Sequence, residues 1–241
     1  MQSALPVALS AQIALEKRLD TIANNVANSR TVGFRSEEVK FDTFISQAGA
    51  NPVAFASRGD TFLSTQAGEL VQTGNTLDMA VSGDAWFAYQ GPNGPVYTRD
   101  GRMRINEQGD VQTLNGEAFL DVGGAPLLVD PAAGPIAIAS DGMITQNGAQ
   151  IGAVGLFQIP PDANLSRAGT SGVVPDMAAI PLLDFADAGV MQGFVEQANV
   201  NPVMEITKLI SVQRAFESAA NLIEKSERSL DDAVKDLGET S

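Results

Sequence analysis

A chain of 241 residues with 44% hydrophobic content is long and apolar enough to form one large or two small folded domains. Its formal charge of -14 argues against the basic face that nucleic acid or an anionic membrane surface would need in a partner. It holds no cysteine and no histidine, which excludes disulfides, thiolate nucleophiles, imidazole bases and the usual zinc ligand sets.

The first predicted element is a helix. Apolar residues stand at Leu5, Ala8, Leu15, Leu19, Ile22 and Val26, with Gln12 on the vacant rung. The steps alternate three and four, so they draw a narrow heptad-like seam rather than a broad apolar face. The helix is expected to stop near Asn28, where Asn-rich sequence and then Gly33 favour chain reversal. Gln12, Glu16 and Lys17 interrupt any continuous apolar stretch, and no basic start precedes it. Export, if it occurs, is therefore expected without cleavage of a signal peptide. No apolar run approaches the roughly 18 residues that span a bilayer, so membrane insertion is not expected.

Residues 36–73 carry little periodicity. Phe41, Phe44, Phe55 and Phe62 stand among Gly, Ser, Thr and Ala, which predicts an extended linker packed through scattered aromatics. From Leu77 the pattern changes to short apolar runs punctuated by turns. Asn93-Gly94, Asp100-Gly101, Asn115-Gly116, Asp141-Gly142 and Asn147-Gly148 mark the turns. Between them lie runs such as 85–89, 96–98, 102–105, 136–138 and 153–157. This spacing predicts antiparallel β-structure in a sandwich or barrel. Residues 160–190, rich in proline, read as a loop-rich return path.

Two features of this middle region invite a chemical reading. Asp100, Asp110, Asp121, Asp130 and Asp141 are the acids from which a hydrolytic pair or a Ca2+ site would be drawn. Most lie beside glycine at turn tips, where Asp bonds the local backbone, and that reading is preferred. Trp86, Phe87 and Tyr89 could form a ligand platform, but alternation along a strand favours core packing. No catalytic, cofactor-binding or metal-binding residue is assigned.

The last element is the longest. Asn201-Pro202 places a capping side chain before a proline at the first helical position, and Glu205 in the first turn suits the helix dipole. Ile206, Leu209, Gln213, Phe216, Ala220, Ile223, Glu227, Leu230, Val234 and Leu237 then step by three and four, uninterrupted until Gly238. A helix of that length spans roughly 50 Å at about 1.5 Å per residue. The fold class expected is α+β. The N- and C-terminal helices (1–35 and 190–241) pair as a coiled-coil-like, discontinuous domain, 36–73 link, and an antiparallel all-β domain (74–189) is inserted between them. The seam residues are Leu5, Leu15, Leu19, Ile22, Val26, Ile206, Leu209, Gln213, Phe216, Ile223, Leu230 and Val234. Alternatives are an adhesin-like binding module and a carboxylate-dependent hydrolase, neither of which accounts for heptads at both ends.

Three stretches carry a resemblance. Asn24, Asn25, Asn28, Thr31, Gly33, Phe34 and Arg35 form the first, within 19–35. Gln192-Gly193, Glu196, Asn199, Pro202, Glu205, Ile206, Ile210, Gln213, Arg214, Phe216 and Glu217 form the second. Thr73, Asn75, Leu77-Asp78, Gly83, Trp86-Phe87 and 97–101 form the third. Together they resemble the signatures of bacterial flagellar basal-body rod and hook proteins. Length, Ala11 and Ala85-Trp86-Phe87 fit the proximal-rod branch better than the distal-rod or hook-type branch. The resemblance implies a non-enzymatic subunit of the periplasmic rod, which polymerises helically and transmits torque. Terminal helices would form the inner tube and the β domain the outer layer. Implied partners are copies of the chain, other rod proteins and the flagellar type III export apparatus. No small-molecule substrate is implied.

Overall fold

The computed structural model describes residues 4–46, 53–57 and 59–239. The chain is a mixed α+β protein with two long helices and a β-rich middle, and it divides into two compact units. One comprises Met1–Ala27, Glu37–Phe62 and Asn201–Ser241; the other comprises Asn28–Ser36 and Leu63–Val200.

In the first unit, α1 (Ala4–Ala27) runs through Asn24 and Asn25 and stops just before Asn28. Helix α2 (Pro202–Glu239) runs for 38 residues. Its start is built as the sequence pattern predicts. Asn201 Oδ1 accepts hydrogen bonds from the N–H groups of Val203 and Met204, both at 3.1 Å, while Pro202 has no N–H to leave unpaired. The two helices contact each other, and α1 also touches two of four short strands. These are β1 (Glu37–Lys40), β2 (Thr43–Ser46), β3 (Val53–Ala56) and β4 (Asp60–Leu63), paired β1 with β4 and β2 with β3. Phe44 and Phe62, expected to pack, are exposed: a two-stranded ribbon has a second face that one helix does not cover.

The second unit begins its strands with β5 (Leu70–Gln72), β6 (Asp78–Ser82), β7 (Trp86–Gly91), β8 (Gly94–Thr98) and β9 (Gly101–Ile105). There follow β10 (Val111–Thr113), β11 (Ile136–Ile138), β12 (Met143–Gln146), β13 (Ala149–Ala153) and β14 (Leu156–Gln158). The last are β15 (Leu165–Ala168), β16 (Gly172–Pro175), β17 (Ile180–Pro181), β18 (Gly189–Gln192) and β19 (Phe194–Glu196). Their ladders are antiparallel. A six-stranded sheet runs β15-β16-β8-β7-β14-β17, a four-stranded sheet β10-β9-β6-β18, and a three-stranded sheet β11-β12-β13.

Period-two alternation explains the core. In and just before β7, Ala85 and Phe87 join one apolar cluster while Trp86 and Ala88 join another. Both faces of that strand are buried, which is why it reads as a continuous apolar run. The larger cluster draws Met79, Met103, Val111 and Val190 from the four-stranded sheet and Ile136, Ile138 and Ile144 from the three-stranded one. The turn chemistry is direct at Asn147-Gly148, where φ is 51° and 78° and Gln146 pairs with Ala149. Two central residues with positive φ make the hairpin turn that matches strand twist.

Two expectations are corrected. The run at 153–157 is not one strand: β13 ends at Ala153 and β14 starts at Leu156, in a different sheet. Gly155 makes the break, passing so near Asp121 that a Cβ there would lie 2.6 Å from its backbone. The stretch 160–190 is not simply loop, since it supplies β15, β16, β17 and the start of β18. Pro175 and Pro181 sit at strand ends, where a missing N–H is tolerated.

Phe119 is fully buried against Phe87, edge to face, with ring centres 6.3 Å apart. Phe119→Ala is expected to lower the stability of the β-rich unit by about 3–5 kcal/mol, through lost burial and the cavity left behind. Urea denaturation followed by the emission of Trp86, the single tryptophan, measures it; a loss below about 1 kcal/mol would show that this core position is not packed as described.

Candidate functional site

In the second unit, three polar side chains from distant parts of the sequence are buried together. Glu196, at the end of β19, is completely shielded from solvent. Its Oε1 lies 2.7 Å from Arg35 Nη2 and accepts the N–H of Gly68 at 2.8 Å. Its Oε2 accepts Arg99 Nη1 at 3.1 Å. Both guanidinium groups lie over the Trp86 ring, 5.1 and 5.0 Å from its centre. The ring's negative π face favours each cation, more so where water is absent.

Backbone bonds converge on the same place. Gly33 N–H donates to the Glu196 carbonyl at 2.7 Å, and Arg35 Nη1 donates to the Gln66 carbonyl. Asn199 Oδ1 accepts Ser36 N–H at 2.7 Å while its Nδ2 donates to the Gln66 carbonyl at 2.8 Å. Gly33 has φ of 69°, and a Cβ there would lie 2.3 Å from Asp100 N, so only glycine fits. Phe34 is buried beneath the Arg167 guanidinium, 4.3 Å from its ring centre. Asn28 accepts from Thr31 through its carbonyl at 2.9 Å and its Oδ1 at 3.3 Å, closing the turn before this segment. The chain thus enters and leaves this unit through two neighbouring, cross-bonded segments.

The electrostatics are those of two cations around one anion. Burial lowers the Arg35 pKa to about 10; the pull of Glu196 opposes this and Arg99 adds to it. Burial likewise lowers Arg99, again against Glu196. With its pKa near 10, Arg35 stays charged at neutral pH.

In the first unit, Asn25 is buried and tied to β1, donating to the Glu37 carbonyl and accepting its N–H, both at 2.8 Å. It also reaches Glu205 Oε2 at 3.5 Å, while Glu205 Oε1 takes Lys208 Nζ at 2.6 Å. Of the remaining seam residues, Ile22 is buried and Leu15, Leu19, Val26, Leu209, Phe216 and Ile223 are half-buried. Ile206 and Gln213 are exposed, whereas Val212, absent from the sequence seam, is buried. Leu5, Leu230 and Val234 have side chains outside the described residues. Among the signature residues, Asn24 is half-buried, and Pro202, Arg214 and Glu217 are exposed.

The acids of the middle region do turn work. Asp100, Asp121, Asp130 and Asp141 each accept a backbone N–H two or four residues on, and Asp110 accepts Asn106 Nδ2 at 2.6 Å. Trp86 and Phe87 are core residues and Tyr89 is half-buried. Sequence reasoning included Arg35, Trp86, Arg99 and Glu196 in its signatures without joining them. The available signal was that each of the three signatures contributes one of the charges Arg35, Arg99 and Glu196, of opposite sign.

Glu196→Ala leaves two buried guanidinium groups without their carboxylate and is expected to cost about 3–5 kcal/mol. Glu224→Ala, which breaks the exposed pair with Arg228, is expected to cost less than about 1 kcal/mol. Urea midpoints of the two variants compare them directly; equal midpoints would refute the central role given to Glu196.

Three family descriptions match this chain in order. "Flagella basal body rod protein" covers 5–35, "Flagellar hook protein FlgE/F/G D1 domain" covers 80–146, and "Flagellar basal body rod FlgEFG protein C-terminal" covers 191–235. Among curated proteins, the flagellar basal-body rod protein FlgF of Mesorhizobium japonicum is 51% identical, over 100% of both chains. The FlgF protein of Rhizobium meliloti is 47% identical over 99% of each chain, and that of Caulobacter vibrioides 35% over 99% of each. With both ends and the middle matched in one continuous relationship, the chain belongs to the flagellar basal-body rod protein family, in its FlgF branch.

Proposed function

We propose that this chain is a structural subunit of the bacterial flagellar basal-body rod, assembling through its terminal helices and transmitting torque across the periplasm. The observation that carries the reading is the apolar surface left on α2. Glu205, Leu209, Val212 and Phe216, stepping by four and three, are buried or half-buried. Val203, Ile206 and Ile210, stepping by three and four on another face, stay exposed, with Ile206 at 46% and Ile210 at 47%. Leu9 and Ile13 of α1 are exposed as well. A single apolar side chain returns about 1.5–3 kcal/mol on full burial, so a stripe of them favours association with further helices.

Pairing of α1 and α2 as an antiparallel coiled coil fits the contact between the helices and the bond from Asn25, near the end of α1, to Glu205, in the first turn of α2. The sequence reading has 1–35 and 190–241 assemble, 36–73 link and 74–189 form the β-rich domain; the two compact units place 28–36 and 63–200 in the β-rich part and 37–62 with the helices. The seam positions are then the assembly residues, with the exposed Ile206 and Gln213 facing neighbours rather than α1. Partners are copies of the chain and other rod proteins, reached after export by the flagellar type III apparatus without signal cleavage. Among the described residues no helix is long and apolar enough to cross a membrane. The relatives are named as rod proteins, which accords with a non-enzymatic role.

The test combines deletion with substitution. The protein is expected in purified hook–basal bodies by mass spectrometry, and its deletion is expected to abolish swimming. Ile206→Gln with Ile210→Gln is expected to leave the monomer within about 1 kcal/mol of wild-type stability, as exposed positions allow, yet to abolish incorporation and motility. Full motility of the double variant would refute the assembly role of this face.

A further inference from the structure

Helix α1 carries a second seam, which its own chain leaves uncovered. Leu9, Ile13, Glu16, Asp20, Ala23 and Ala27 are all exposed and step by four and three without a break. At about 3.6 residues per turn they fill one narrow stripe, opposite the buried Ala14, Thr21, Ile22 and Asn25. Its apolar end is Leu9, 53% exposed, and Ile13, 43% exposed. On α2 the matching pair is Ile206 and Ile210, on a face that Leu209, Val212 and Phe216 do not share. Each helix of this unit thus presents two apolar side chains, four residues apart, away from its covered face.

Symmetry decides how two such stripes can be used. A contact of α1 on α1, or of α2 on α2, is isologous: it occupies the same stripe on both copies and ends at a pair. Packing α1 on α1 would also set Glu16 and Asp20 beside their own like charges. A contact of α1 on the α2 of another copy is heterologous, so every copy keeps one stripe free and the contact repeats into a ring or a helical filament. Where all copies point the same way along the filament axis, α1 of one copy runs opposite to α2 of the next.

We propose that the exposed stripe of α1 in one copy packs antiparallel on α2 of a second copy, with Leu9 against Ile210 and Ile13 against Ile206. Both pairs close together because both are spaced by four residues. The same register brings Glu16 to Val203, in the first turn of the neighbouring α2, and carries Asp20 past the start of that helix. Two carboxylates then lie at the end of a helix where its dipole favours negative charge. A slide of one heptad would instead lay Glu16 on Ile210 and Asp20 on Ile206, pressing carboxylates against apolar side chains. Charge therefore selects the register as well as the partner. The proposal rests on the reading of the chain as a rod subunit whose terminal helices run antiparallel.

The chain has no cysteine, so introduced thiols are the only ones it carries. A disulfide closes only where Cα atoms lie about 4.4–6.8 Å apart, and so reads the register directly. Hook–basal bodies from a strain carrying both Leu9→Cys and Ile210→Cys are treated with diamide, which takes up the two thiol hydrogens, and run on a non-reducing gel. Covalent multimers extending past the dimer are expected, collapsing to monomer on reduction. Either single variant is expected to stay monomeric, as is Leu9→Cys with Leu222→Cys, which lies twelve residues further along α2. Ile13→Cys with Ile206→Cys is expected to give the same ladder and serves if the first pair fails to enter the particle. Dimers from a single variant, links to a different protein, or no multimers in particles that contain the protein would overturn this contact and leave the rod reading intact. Absence of the protein from particles of the unmodified strain would remove both.

Discussion

The β-rich unit depends on one carboxylate. Glu196 is where the segment after α1, the loop carrying Gly68, the β-strand region carrying Arg99 and the segment before α2 all meet. Burying an ion group of this kind is not in itself a route to high stability, because desolvation offsets most of the attraction between charges. What it contributes is uniqueness. An apolar contact tolerates sliding, whereas a carboxylate whose oxygens are matched to two guanidinium groups and a backbone N–H has one low-energy arrangement. The segments Asn28–Ser36 and 194–200 are therefore held in one register with the sheet, and Gly33 and Asn199 complete the fit through backbone bonds.

The helical unit follows the opposite logic. Its interior is modest: Ile22 and Val212 are buried, and much of the rest of both helices is only partly covered. Polar groups do the positioning inside, with Asn25 clamping β1 and reaching Glu205. Apolar groups remain outside, on a face of α2 distinct from the one that is covered. A helix of 38 residues gains little from local hydrogen bonding alone and draws most of its stability from side-chain packing. Placing apolar residues on two faces lets one helix serve its own chain and its neighbours at once. The β-rich unit, by contrast, places its apolar residues on both faces of β7 and spends its acids on turns.

Much of this was legible in the chain as written. Local rules determine the start of α2, because a side chain two or three residues before an N–H can cap it without reference to the rest of the fold. They also determine the Asn147-Gly148 hairpin, the turn role of the aspartates and the α+β class, since periodicity and turn propensity are properties of short segments. The motifs themselves were visible, including Gly33, Arg35, Trp86, Arg99 and Glu196.

Tertiary structure decided what those motifs do. That Arg35, Arg99 and Glu196 share one buried site is a matter of sequence separations of 64 to 161 residues, which no local pattern encodes. The division of 153–157 between two sheets, and the strands within the proline-rich 160–190, depend on which neighbours offer a ladder to pair with. The faces of α2 could not be separated from spacing alone either, because Ile206 and Leu209 are three residues apart and fit one stripe on paper. Packing against the rest of the unit covers Leu209 and Val212 and leaves Ile206 outside. Spacing states which residues lie near one another on a helix; only a partner surface states which of them it buries.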